Sequence, residues 1–168
     1  MHRRCAGPIG IRQKVIVRET LPNGVKLIAQ EMTGFRSVSM AVWIQAGSVY
    51  EIGAESGISH FIEHMVFKGT KSRSASDIAA EMDAVGGSIN AYTAKECTCF
   101  YAKVTDDELP LAVDILSDLA LRPVFDAGEL EKERGVVLEE IAMVMDENPN
   151  TIKSRLYRTL KELQVKMA

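Results

Sequence analysis

Residues 60–64 read His-Phe-Ile-Glu-His, and no other stretch constrains the chain as tightly. Around it, Ile58, Phe61, Ile62 and Met65 recur at three- and four-residue steps, the spacing of one helix face. On a helix, His60 and His64 stand one turn apart on the same side, with Glu63 beside them. Two neutral imidazoles so placed can reach one zinc ion, and the neighbouring carboxylate can take a proton from water that the ion activates. The order H-x-x-E-H is the inverse of the commoner H-E-x-x-H helix. Taken alone, the pentapeptide fits a second reading equally well, in which the histidines cap a helix or pack beside it. Scarcity favours the metal: the chain has only 3 histidines, two of them here, and the third, His2, is next to the amino terminus.

A zinc site needs a third protein ligand, and with the histidines used up it must be a carboxylate or a cysteine. The acidic segment 126–145 offers Glu133 and Glu140, seven residues apart and therefore two turns along one helix face, with Val136, Val137 and Ile141 as a side that can pack. One carboxylate can ligate while the other orients a ligand or the water. The alternative for any single glutamate in this run is a charged face in solvent.

Four separated blocks carry a resemblance: His60-Phe-Ile-Glu-His64, Phe67-Lys-Gly-Thr70, Gly86-Gly-Ser-Ile-Asn-Ala-Tyr-Thr93 and Glu133-Arg-Gly-Val-Val-Leu-Glu-Glu-Ile141. In this order they resemble the amino-terminal domain of the pitrilysin, insulinase and mitochondrial-processing-peptidase family of zinc metallopeptidases, with a LuxS/MPP-like metallohydrolase fold. The resemblance covers roughly residues 15 to 150. It implies zinc on His60, His64 and Glu140, with Glu63 as general base and Glu133 supporting the site. It also places the strand holding Asn90 and Ala91 beside a bound peptide. Such enzymes resemble two or more homologous domains closing on a peptide or unfolded protein, so a second domain or subunit is expected to supply the other wall. An assembly subunit without catalysis is the competing expectation, although such a subunit would have no chemical need for all four of His60, Glu63, His64 and Glu140.

With 168 residues, 46% of them hydrophobic and 26% charged, the chain can form one sizeable core. A net charge of −3 without a basic patch gives no footprint for nucleic acid, and no run of 18 apolar residues is present to span a bilayer. Cys5, Cys97 and Cys99 cannot make a disulfide framework, and Cys97 and Cys99 read as buried free thiols in a reducing compartment. Residues 1–14 are basic and broken by Gly7, Pro8 and Gly10, which reads as a disordered lead. The cytoplasm is favoured and organellar targeting stays open.

The remaining pattern predicts strands at 15–18 and 25–30 around an Asn23-Gly24 turn, and a third at 38–44. Glu51 and Glu55 follow in a polar loop and read as surface acids. The histidine helix should end near Gly69, and a capping box at Ser74–Asp77 should open a helix to Val85 that is buried through Ile78, Met82 and Val85. Gly86-Gly87 stops that helix, and its missing side chains either admit a peptide to the next strand or simply serve the turn. Strands at 88–93 and 97–104 come next. A second capping box, Thr105–Glu108, should open a helix with Leu109, Val113 and Leu116 inward, and Asp126 should cap the long carboxylate helix. Residues 151–168 form an amphipathic segment atypical of the family. The order predicts α+β, mostly antiparallel sheet with helices on one side.

Overall fold

A computed structural model describes residues 16–52, 56–146, 148, 150 and 151. The basic lead at 1–14, Glu55 and nearly all of segment 151–168 lie outside the described residues. The chain divides into two compact units between Arg36 and Ser37. In the first, β1 (Ile16–Thr20) pairs antiparallel with β2 (Lys26–Gln30), closed by the expected turn, in which the Leu21 N–H donates to Val25 O and Gly24 has φ 87°.

The second unit holds β3 (Ser37–Ile44), α1 (Ile58–Val66), α2 (Ala75–Ala84), β4 (Ser88–Thr93), β5 (Thr98–Thr105), α3 (Leu109–Leu121) and α4 (Ala127–Met145). Its antiparallel sheet runs β3-β5-β4, so β5 is central and β4 lies at an edge. The α+β expectation, antiparallel strands with helices, is what the structure shows. The strands fall into two sheets, one in each unit. Along β5, Phe100, Ala102 and Val104 are buried while Tyr101 and Lys103 face outward, the alternation read from the sequence. The inward row packs on Val66 of α1, Ile78 and Met82 of α2, and Ala112, Ile115, Leu116 and Leu119 of α3, forming one core. The other sheet face carries Trp43, Tyr92 and Tyr101, ring against ring, with Cys99 buried at the strand register between Trp43 and Tyr92. Cys97 is half-buried rather than buried.

Several local expectations need correcting. Helix α1 stops at Val66, three residues before Gly69, because the Lys68 N–H turns back to Met65 O. Its buried residues are Met65 and Val66, while Ile58 and Ile62 are exposed. The Ser74–Asp77 box forms as read, but Thr105–Glu108 does not: residues Asp106–Glu108 make a 3₁₀ turn with no side-chain cap bond. Pro110, which lacks an N–H and suits a first turn, starts α3 instead. The inward stripe of α3 is Ala112, Ile115, Leu116 and Leu119, and Val113 is exposed. On α4, Asp126 accepts from the Gly128 and Glu129 N–H groups, as expected of a cap. The packing side is Val137, Leu138 and Ala142, with Val136 turned outward. At Gly86-Gly87 the turn reading holds. Gly86 takes the positive φ of 61° that the turn needs, and Gly87 serves close packing, since a Cβ there would come within 2.7 Å of Met82 Cε. Among the described residues, no helix is long and apolar enough to cross a membrane.

Candidate metal centre

Helix α1 packs on α4 and on β4, and this brings carboxylates from two distant segments to the histidine face. His60 Nε2 and His64 Nε2 are 3.1 Å apart, and Glu140 Oε2 is 3.5 Å from His64 Nε2 and 3.9 Å from His60 Nε2. Three electron-pair donors thus converge on one point. Tetrahedral zinc, with nitrogen and oxygen ligands at 2.0–2.2 Å, spaces its donors by roughly 3.3–3.5 Å. The donor set fits such an ion in both kind and spacing.

Glu133 stands behind the triad. Its Oε1 accepts from His64 Nδ1 at 2.8 Å, and its Oε2 accepts from Lys68 Nζ at 2.6 Å. Because an ionised carboxylate only accepts, this bond puts the His64 proton on Nδ1. In the neutral ring, the Nε2 lone pair then faces His60 and Glu140. Side-chain exposure falls from 47% at Glu140 and 41% at His60 to 19% at His64 and 7% at Glu133, so the triad opens to solvent on one side and is backed by buried polar contacts on the other. Burial pushes the Glu133 carboxyl up, but the hydrogen bonds from Lys68 and His64 outweigh it and hold it below the usual carboxylate range.

Glu63 turns toward the sheet. Its Oε2 accepts from Thr93 Oγ1 at 2.5 Å. Thr93 ends the inward row Ile89, Ala91, Thr93 of the edge strand, and its hydroxyl lies 3.4 Å from Ser59 O of α1. Asn90 points to the opposite face and is exposed, and its Oδ1 accepts from the Ala91 N–H at 2.8 Å. Ala91 is buried in the core. The structure therefore brings His60, His64 and Glu140 together with Glu133 against His64, and places Asn90 and Ala91 on the strand that carries Thr93.

Three neighbours of this site went unassigned in the sequence. Glu51, taken for a surface acid, accepts from the Gly57 and Ser59 N–H groups at 2.6 and 3.0 Å and so caps the start of α1. Burial pushes its carboxyl up, but the two N–H donors and the Ser59 hydroxyl outweigh that and hold it below the usual carboxylate range. No local pattern betrays a cap from six residues away. Thr93 carried a signal only once its strand was known to face α1. Lys68 had a signal only if the helix ran on to Gly69, as the sequence suggested; the helix ends at Val66, and Lys68 reaches Glu133 from the turn that follows. Beside His60, an open cleft of about 390 Å³ is lined by Ser48, Glu51, Thr93 and Lys95 among others.

A family model described as Insulinase (Peptidase family M16) matches residues 26–167. The chain belongs to this family. Among the proteins it resembles, the uncharacterized zinc protease YmxG of Bacillus subtilis (strain 168) is 48% identical over 132 residues, covering 79% of this chain and 32% of that protein. The mitochondrial-processing peptidase subunit beta of Rattus norvegicus is 44% identical over 124 residues, covering 74% of this chain and 25% of that one. A crystal structure of a protease from Helicobacter pylori superposes with a TM-score of 0.73 at 26% identity, over 77% of this chain and 31% of that one. The chain thus spans about a third or less of the length of these proteins.

Proposed function

We propose that this chain is a zinc-binding metallopeptidase domain, with His60, His64 and Glu140 holding the ion and Glu63 acting as general base. The observation that carries the reading is the convergence of three donor atoms at 3.1, 3.5 and 3.9 Å. The names of the relatives, zinc protease and processing peptidase, support it. Bound zinc would lower the pKa of a water toward about 7 and stabilise negative charge on a carbonyl oxygen. Glu63 takes the proton of the attacking water and returns it to the leaving amine. Thr93 donates to Glu63 Oε2 and so orients this carboxylate. Glu133 holds the His64 ring. The substrate is a peptide or unfolded protein, and Asn90 and Ala91, on an edge strand open to strand addition, are binding residues. A second family-like domain or subunit closes the site, as the length of the relatives supports.

Two measurements test this. Elemental analysis of zinc-reconstituted protein should find about one zinc per chain, and finding none overturns the reading. Zinc-dependent cleavage of unstructured peptides, by the chain joined to its complementary domain, should fall about 10²- to 10⁴-fold in Glu63→Gln. That variant should keep its zinc; unchanged cleavage would remove Glu63 from the mechanism.

A further inference from the structure

Helices α1 and α4 meet through a ladder of charges and imidazoles that extends one rung past the metal triad. His60 and His64 stand one turn apart on α1, and Lys68 follows two residues past the end of that helix, in the turn whose N–H returns to Met65 O. Facing them on α4 are Glu140 and Glu133, seven residues apart. Glu140 contacts both imidazoles, and Glu133 contacts His64 and Lys68. Glu133 has one carboxylate and two donors to serve. Its Oε2 goes to Lys68 Nζ at 2.6 Å and its Oε1 to His64 Nδ1 at 2.8 Å, in a place where its side chain is 7% exposed.

The root of Lys68 is equally well fixed. Its N–H donates to Met65 O, the next carbonyl, Gly69 O, accepts from the Val124 N–H, and the Lys71 N–H donates to Arg122 O. Two residues on, buried Thr70 donates to Asp118 of α3. Lys68 thus leaves a backbone segment pinned to the end of α3 and the chain beyond it, and reaches back toward the metal face. A carboxylate with a single partner can rotate about its terminal torsion, which is broad. A second charge-assisted bond on the other oxygen removes that freedom.

We propose that Lys68 is a positioning residue for the metal centre: by holding Glu133 Oε2 it keeps Oε1 on the His64 Nδ1 proton, and so fixes the tautomer whose Nε2 lone pair faces the ion. This rests on reading His60, His64 and Glu140 as the zinc triad. Outer partners of metal-bound histidines act in this way, orienting the ring and raising its basicity, and their loss costs about 10- to 100-fold in metal affinity.

The test compares wild type, Lys68→Met and Lys68→Arg, first confirmed to be folded by circular dichroism. Nitrogen-15 spectra of the zinc-free protein near pH 8 report which nitrogen of His64 carries the proton, and competition with a chromophoric chelator reports zinc affinity. Wild type should show the Nδ1–H form. Lys68→Met should show a mixture of tautomers and bind zinc about 10- to 100-fold more weakly. Lys68→Arg, which restores a donor to Oε2, should recover both. Weaker zinc binding in Lys68→Met with an unchanged tautomer would mean a merely structural role and overturn the proposal, as would affinity and tautomer both unchanged. If wild type bound no zinc, the zinc reading would fail, and the proposal for Lys68 would still stand or fall on the tautomer of the zinc-free protein.

Discussion

Two polar clusters join distant segments of the second unit, and they are finished in different ways. Around Asp118 the protein supplies every charge. The carboxylate is fully buried, accepts from Thr70, and pairs with Arg122 at 2.8 Å and Arg73 at 3.3 Å. Arg73 in turn reaches Glu81 and Asp114 at 2.9 and 2.5 Å. Burial pushes the Asp118 carboxyl up, but the Thr70 hydroxyl and the two guanidinium groups hold it below the usual carboxylate range, and the neighbouring carboxylates raise Arg73. At the triad the protein gathers three possible ligand atoms, one each from His60, His64 and Glu140, close to one another. Such crowding becomes favourable when a cation takes the centre. The first cluster locks the α1–α2 connector to α3, whereas the second offers a site.

The contrast can be broken most directly at Asp118. Asp118→Ala leaves Arg73 and Arg122 facing an empty carboxylate position and should cost about 3–5 kcal/mol, as expected on breaking a buried ion pair. Urea unfolding measures it. A loss comparable to an exposed pair would show that the cluster is not the lock described. Acid should act on the same group. The folded value of Asp118 is depressed, so its contribution is present above the unfolded value of about 3.9 and is lost as pH falls through the lower folded one. Glu51, also depressed, loses its contribution in the same direction. Stability that depends on these two groups should therefore be flat near neutrality and decline only below about pH 4. Zinc affinity should weaken sooner, since the ligands must shed their protons to bind.

Added zinc sharpens the other side of the contrast. At a free concentration a hundred times its dissociation constant, the ion should raise the unfolding free energy of wild type by about 2.7 kcal/mol. His60→Ala, His64→Ala and Glu140→Gln should lose most of that gain while Asp118→Ala keeps it. Equal stabilisation of all four variants would place zinc elsewhere. The smallest effect belongs to Glu133→Ala, which should weaken zinc binding about 10- to 100-fold without removing the site. Chelator competition would read a complete loss if Glu133 were itself a ligand.

By itself the sequence determined what short-range chemistry determines. The histidine pair on a helix, the alternation along β5, the Ser74 and Asp126 caps and the turn at Gly24 depend on residues within a few positions of one another, where helical or strand periodicity fixes geometry. Once the family resemblance was added, even the distant Glu140 and Glu133 could be named. Tertiary structure decided which faces of those elements meet. Val113 and Val136 fit an apolar stripe by spacing, yet they point outward, because the position of the sheet selects the buried arc of each helix and spacing does not. Thr93 reaches Glu63 only because β4 lies at the edge of the sheet beneath α1, and Glu51 caps α1 only through the path of the intervening loop. Lys68, in the turn after α1, meets Glu133 of α4 across 65 positions of the chain, a separation over which no local periodicity acts.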